Sequence, residues 1–365
     1  MTLLKPLEVA AKLLLAVVAA IFLWRPGRKA RAQRLLANAK RVLVVRIDNR
    51  VGEALLTTPV FAALKAKPNP PQVFALVHAK VARVLEGHPH LDGVIPFDRR
   101  GLALGMFAPG IAALRKEGFD VVVNCSTWSE PSVTAALVSR LIAPRAALVG
   151  PSVFPSGWLA DVSVPQKAGT RSEAEQRLNI ASPLALPPGP PRLSFRTPRS
   201  TPAIDAFIAG LKRPFAVVNP GGRLDFRRVP PAVFGVAARA LTEAGVTPVV
   251  TWGPGEEAMA AEVLAAAPHA VQAPPTNLDE LAALMKAALL TVCNNTGPMH
   301  LSVAVGTPTL ALFLKMEVAR WSHAHAPHQL LDLTGLDPAA MDDAVAAAVK
   351  ASAAAESERR DHAGV

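Results

Sequence analysis

Short apolar runs alternate with stretches of helical rhythm along most of this chain. "RVLVVRI" (Arg41–Ile47) has the unbroken β-branched density of a strand buried on both faces, and a helical pattern follows over Glu53–Lys65. The next strand is "QVFALVHA" (Gln72–Ala79), then a short helix over Lys80–Pro89, a strand at "GVIPF", a helix over Gly110–Gly118 and a strand at "DVVVNCS" (Asp120–Ser126). Strand and helix in repeated alternation predict a parallel sheet with helices on both faces.

"LALPPGPPRLSFRTPRSTP" (Leu184–Pro202) interrupts the rhythm. Proline at that density excludes helix interior and sheet, so an extended linker is expected. The alternation then resumes. Strands are predicted at "FAVVNPG" (Phe215–Gly221), "TPVVTWG" (Thr247–Gly253), "LLTVCN" and "TPTLALF", and helices over Pro231–Ala244, Glu256–Ala266 and Leu278–Ala287, with another beginning at Pro298. An alanine-rich helix over Pro338–Ala354 is expected to pack back on the first half, and the terminal "ESERRDHAGV" to be a disordered tail. The expected organisation is a membrane-proximal segment over 1–40, a first Rossmann-like domain over 41–186 and a linker over 187–202. A second Rossmann-like domain over 203–335 and a closing helix and tail over 336–365 complete it.

At 365 residues and 51% hydrophobic, the chain has material for two cores, and its scarcity of aromatics, with no Tyr, suits an α/β enzyme rather than a disordered chain. Cys125 and Cys293 both fall in predicted core strands and read as buried thiols of a reducing compartment; no Cys/His spacing fits a zinc site.

The net charge of +11 changes the picture, because part of it is local. Arg25, Arg28, Lys29, Arg31, Arg34, Lys40 and Arg41 follow directly on the apolar run "LLLAVVAAIFLW" (Leu13–Trp24), with no acid among them. A secretory signal has the reverse order, so residues 7–41 read as an anchor whose basic flank meets an anionic membrane surface on the cytoplasmic side. The alternative is a buried N-terminal helix. Nucleic acid is not an expected partner, since no reader motif or aromatic-rich basic face accompanies the charge.

Candidate chemistry sits where strands end. "NPGG" (Asn219–Gly222), "WGPGEE" (Trp252–Glu257) and "NNTGPMH" (Asn294–His300) each follow a predicted strand. In the last, Gly297 removes bulk and Pro298 suits a first helical turn, so the amides around Thr296 and Gly297 form an anion site fit for a diphosphate. The alternative is a Gly-Pro pair that only ends a loop. Neither half carries a convincing G-x-G-x-x-G after its first strand, which argues against a nicotinamide dehydrogenase.

"NNTGPMHLSVAVGTPTLALF" resembles the signature of the family-9 glycosyltransferases, the ADP-heptose:lipopolysaccharide heptosyltransferases, which carry a "DTGPMHLAAALGVPTVALF"-like string. "VLVVRIDNRVGEALLTTPVFAAL", "EGHPHLDGVIPFD" and "VNPGGRLDFRRVPPAVFGVAARAL" are similar to further segments of that family, in the same order from about Arg41 to Leu331. The resemblance implies an α/β GT-B fold, two Rossmann-like domains facing across a cleft. The activity implied is an inverting, metal-independent sugar transfer without a cofactor, from a nucleotide-diphospho-sugar to a lipid-linked glycan acceptor. The implied location is the cytoplasmic face of the bacterial inner membrane.

By position, the resemblance places Thr296, Gly297 and Pro298 against the donor diphosphate, with His300 on the helix behind. Arg227 stands where the family has a lysine, and an arginine supplies the same charge to a leaving diphosphate. Arg228 beside it has the same capacity or is a solvated surface charge. Asn219, Gly221, Gly253 and Glu256 complete the donor side; Glu256 reads equally as a helix N-terminal acid with a dipole role only. Asp48, Gly52 and Asn124 fall on the acceptor side, where a satisfied loop amide is the simpler reading of Asn124.

Two positions depart from the family pattern. Glu53 replaces the aspartate that follows the first-turn glycine as general base, and one added methylene moves the carboxylate by roughly 1 Å. Asn295 replaces an aspartate expected to hold donor sugar hydroxyls. Both leave open a catalytically degenerate sugar-nucleotide-binding or scaffold protein. "HAHAPH" (His323–His328) alternates histidines but has no carboxylate or cysteine partner in the sequence, so no metal is expected there. "LKME" before Arg320 and Trp321 replaces the family's usual Gly-Pro-Thr turn.

Overall fold

The computed structural model describes residues 27–98, 109–169, 172–222, 225–315, 317–323 and 325–363. The apolar part of the expected anchor, up to Trp24, lies outside the described residues. Among the described residues no helix is long and apolar enough to cross a membrane.

Two compact units divide at Arg192 and Leu193. In the first, β1 (Arg41–Arg46), β2 (Gln72–His78), β3 (Gly93–Phe97), β4 (Val121–Asn124), β5 (Ala147–Pro151) and β6 (Val162–Val164) form one sheet. The order is β3-β2-β1-β4-β5-β6, all pairs parallel. Leu43 and Val45 point into a core with Leu76, Val122, Leu148, Ile142 and Leu159, while Val42 and Val44 are equally buried on the opposite face. That two-sided burial is why β1 reads as an unbroken apolar run.

The second unit repeats the plan with β7 (Phe215–Asn219), β8 (Thr247–Val250), β9 (Val271–Gln272), β10 (Leu290–Asn294), β11 (Thr309–Phe313) and β12 (Gln329–Asp332). Its order is β12-β11-β10-β7-β8-β9, again parallel. β10, β7 and β8 are therefore neighbours, and their carboxyl-terminal turns lie side by side.

Several expectations need correction. The helix expected over Glu53–Lys65 is two, Val51–Leu55 and Thr58–Lys65. Pro59 has no amide hydrogen and starts the second, while the Thr57 and Thr58 hydroxyls donate back to the carbonyls of Glu53 (2.9 Å) and Leu55 (2.7 Å). The last helix runs Pro338–Ala363, through most of the stretch expected to be disordered. It packs in the second unit: Val345, Val349 and Ala353 enter the core with Phe234 and Leu241. Ser352 and Glu356, four apart, are buried as well, and one more step of four reaches Arg360, which donates to the Ala288 carbonyl at 2.6 Å. β5, β6, β9, β12 and the helices Val133–Ile142, Glu173–Ala181 and Pro202–Gly210 were not predicted from the pattern.

Candidate functional site

In the second unit, three side chains tie the three turns together. Asn294, at the end of β10, donates through Nδ2 to the carbonyls of Pro220 (2.7 Å) and Gly221 (3.3 Å), and its Oδ1 accepts the Val229 amide at 3.0 Å. Asn219, at the end of β7, donates to the Thr251 hydroxyl at 3.0 Å. Glu256 accepts the Gly222 amide on Oε1 and the Gly253 amide on Oε2, each at 2.9 Å. Its role is thus more than that of a charge near a helix start.

The glycines are there because the turns meet at van der Waals range. A Cβ on Gly221 would lie 2.0 Å from Glu256 Oε2, and one on Gly222 would lie 3.2 Å from Thr296 Cγ2. Thr296 is therefore brought against the β7 turn. It precedes the helix Gly297–Ala304, has extended backbone (φ −145°) and makes no side-chain cap to that helix. Its Oγ1 donates only a long 3.4 Å bond to the Asn294 carbonyl. Pro298 occupies the first turn. A helix start left without a side-chain acceptor, bounded by glycine turns, has the donor set that binds oxyanions.

Asn295 Nδ2 is buried and has no hydrogen-bond partner, so an acceptor brought by a ligand would relieve it. His300 is 4% exposed, with Nδ1 2.8 Å from His323 Nε2. Burial, then the charges of His300, His328 and His325, push His323 well below the ordinary imidazole value, so it stays neutral at pH 7. His325 and His328 continue the line of rings. Among the described residues no three His, Cys, Asp or Glu side chains are grouped to hold a metal ion. Arg227 closes the short 3₁₀ turn Asp225–Arg227. Arg228 pairs with Asp225 and lies against Met259.

In the first unit the candidate base is enclosed. Glu53, beside Gly52 in the helix Val51–Leu55, is 3% exposed. Its Oε2 takes Arg46 at 2.6 Å and also Arg177, and its Oε1 lies 3.5 Å from Arg50. Burial would raise this carboxyl, but Arg177, Arg46 and Arg50 outweigh it and hold Glu53 at about 2. Asp48 pairs with Arg46 at 2.6 Å and keeps a third of its side chain exposed. Glu130 takes Arg50 at 2.6 Å. Asn124 is buried, and its Oδ1 accepts the Ser126 amide at 3.2 Å. Cys125, next to it, is a fully buried thiol pushed by burial up to about 12.

Sequence reasoning missed Arg46, Arg50, Arg177, Glu130 and Asn294, and it weighed His323 only as a metal ligand, not as the partner of His300. Arg46 carries a signal, a charge inside an apolar strand, and Asn294 sits beside Asn295 at the end of a predicted strand. Arg177 carried none, since its partner Glu53 is 124 positions away.

The pattern of glycosyltransferase family 9 (heptosyltransferase) matches residues 111–331. Lipopolysaccharide heptosyltransferase 3 of Escherichia coli is 25% identical over 281 residues, covering 72% of this chain and 80% of the relative. A glycosyl transferase family 9 structure from Veillonella parvula superposes with a TM-score of 0.67 at 21% identity, over 80% of this chain and 86% of that one. E. coli heptosyltransferase WaaC with ADP gives 0.66 at 18%, over 86% and 99%. These likenesses show the shared fold, the GT-B fold with two Rossmann-like units in one chain.

Proposed function

The chain belongs to glycosyltransferase family 9 (heptosyltransferase), and from that premise we propose that it moves a heptose-like sugar from ADP-heptose or a related nucleotide-diphospho-sugar to a lipid-linked glycan of the lipopolysaccharide core. The observation that carries this is the trio of strand-end turns joined by Asn219, Asn294 and Glu256 beside an uncapped helix start. Such a cradle suits a diphosphate, and E. coli lipopolysaccharide heptosyltransferase 3 gives the chemical class.

In this reading the diphosphate rests on the amides about Thr296 and Gly297. The charge that builds on it as the sugar's anomeric C–O bond breaks is offset by those amides, the helix dipole, Arg227 and Arg228. Asn295 reaches the sugar, and Gly221, Gly253 and Glu256 shape the nucleoside side. An acceptor hydroxyl attacks from the opposite face, which inverts the anomeric centre, and its proton passes to a carboxylate. No step requires a metal. Acceptor and enzyme meet at the cytoplasmic face of the inner membrane, with residues 7–41 against anionic lipid.

Glu53 is the proposed base, oriented by three arginines. A second reading follows from its burial: Asp48, more exposed and on the same arginine cluster, takes the proton while Glu53 holds the arginines in place. Transfer from ADP-heptose to a core acceptor, followed by product analysis, tests the reaction. Glu53→Gln inactive with Asp48→Asn active supports Glu53; the reverse assigns Asp48. Calorimetric binding of ADP-heptose with no product over any acceptor would establish the degenerate binding protein instead.

A further inference from the structure

Four large apolar side chains among the described residues are exposed: Phe154 (56%), Trp158 (55%), Phe226 and Leu336. Two of them share one turn of the first unit. Phe154 and Trp158 stack edge to face with ring centroids 4.9 Å apart, on the loop between β5 and β6. An aromatic pair in water forgoes burial that either ring would gain elsewhere in the protein.

The loop is built to keep them out. The Gly157 amide donates to the Val153 carbonyl at 2.7 Å, the Trp158 amide to Pro155 at 3.2 Å, and the Ser163 hydroxyl to Gly157 at 2.8 Å. Next in sequence, Leu159 is fully buried in the core. Its carbonyl accepts from Arg140 at 2.6 and 2.9 Å and from Arg28 at 2.8 Å. Arg28 also pairs with Asp161, which Arg140 holds at 2.8 Å. The aromatic turn is thereby clamped to the first turn of the helix Arg28–Ala37.

That helix has sequence RKARAQRLLA, without an acid. Ala32 and Leu36 are buried, while Lys29, Arg31 and Arg34 face solvent. Arg31 donates to the Arg145 carbonyl at 2.7 Å, which brings a further exposed arginine to the same edge. In sequence, the apolar run Leu13–Trp24 lies just before this helix. Aromatic side chains held outward beside basic ones are the combination that an anionic bilayer surface binds: rings at the headgroup level, cations against lipid phosphates.

We propose that the Phe154–Trp158 turn and the basic helix Arg28–Ala37 form one membrane-docking face whose occupant is an anionic phospholipid surface. Its purpose rests on the reading of a lipid-linked acceptor, but its existence does not. An aromatic turn clamped to a basic helix offers lipid a face rather than a single point, which fixes the orientation of the first unit instead of merely tethering it.

The test uses the full chain and vesicles of phosphatidylcholine with and without phosphatidylglycerol, carrying brominated acyl chains that quench tryptophan at the bilayer. The part of the emission that Trp158→Phe removes is expected to be quenched on the anionic vesicles. Phe154→Ser with Trp158→Ser should weaken partitioning by roughly tenfold. Lys29→Gln and Arg34→Gln should each weaken it by roughly fivefold, and only when phosphatidylglycerol is present. Transfer to a delipidated, water-soluble acceptor should be unchanged in all of these variants.

Trp158 emission insensitive to brominated lipid, in protein that still sediments with the vesicles, overturns the docking face. A fall from dimer to monomer in Phe154→Ser with Trp158→Ser, without loss of lipid binding, overturns it in favour of contact between copies. Quenching in a protein that transfers no sugar leaves the docking face standing and removes the proposed function.

Discussion

Arg177 grips Glu53 at two points: Nη1 donates to its main-chain oxygen at 2.7 Å while Nη2 meets its carboxylate. Arg177 comes from the helix Glu173–Ala181 and is fully buried, so the contact joins a distant element to the first glycine turn. A buried guanidinium also needs its acceptors, and it has the Glu53 carboxylate, that carbonyl and the Thr57 hydroxyl at 3.2 Å.

Replacing Arg177 by Met should therefore leave Glu53 short of one cation and destabilise the protein by about 3 kcal/mol or more. Urea unfolding checks the stability. Arg177→Lys keeps the charge but not the two-point grip; it should fold better than Met and still lose kcat by roughly tenfold or more. If Glu53 is the base, the acid limb of the pH–rate profile moves up in Arg177→Met. A purely structural role would leave that limb in place.

Stability should fall in two stages on acidification. His323 is held below its ordinary value of 6.5, first by burial and then by neighbouring histidines, so the unfolded chain takes the proton more readily. The stability this implies is present above 6.5 and declines as pH falls below it. Glu53 is also depressed, from 4.5 to about 2, so its contribution is present above 4.5 and is lost between those values. That contribution is of order 3 kcal/mol. Thermal melts across pH should show both stages, with the first reduced in His323→Phe and the second in Glu53→Gln.

Gly221→Ala should damage donor binding more than an ordinary glycine change does. The added Cβ would stand 2.0 Å from Glu256 Oε2, so the carboxylate must release the Gly222 and Gly253 amides. Leaving such groups unpaired costs about 1–3 kcal/mol each, and calorimetry with ADP should show at least a tenfold weaker Kd. Glu256→Gln, which keeps one acceptor oxygen, should fall between wild type and Gly221→Ala.

Asn294→Leu should destabilise the second unit by about 3 kcal/mol, read in urea, because the buried Val229 amide and Pro220 carbonyl both lose their partner. Asn295→Leu should leave stability nearly unchanged and reduce donor turnover, since its Nδ2 has no protein partner to lose. The contrast between adjacent asparagines separates a residue that builds the cradle from one that faces its occupant.

The repeated alternation of apolar strands and amphipathic helices was determined by sequence alone, because burial on both faces of a parallel sheet leaves continuous runs such as Arg41–Ile47. The glycine and proline turns at the ends of β7, β8 and β10 were likewise legible, since backbone constraint is local and shows in residue type. Short or edge elements such as β6 and β9 escaped, having too few residues to show a period. Only the tertiary structure decided that Glu53 is an enclosed ion-pair partner, that Glu256 joins two turns, and that the closing helix reaches Ala363 on the second core. Those facts depend on which side chains meet across the fold. An arginine's partner more than a hundred positions away leaves no mark on its neighbours in sequence, because the Coulomb and desolvation terms that set a carboxylate's state depend on distance in space.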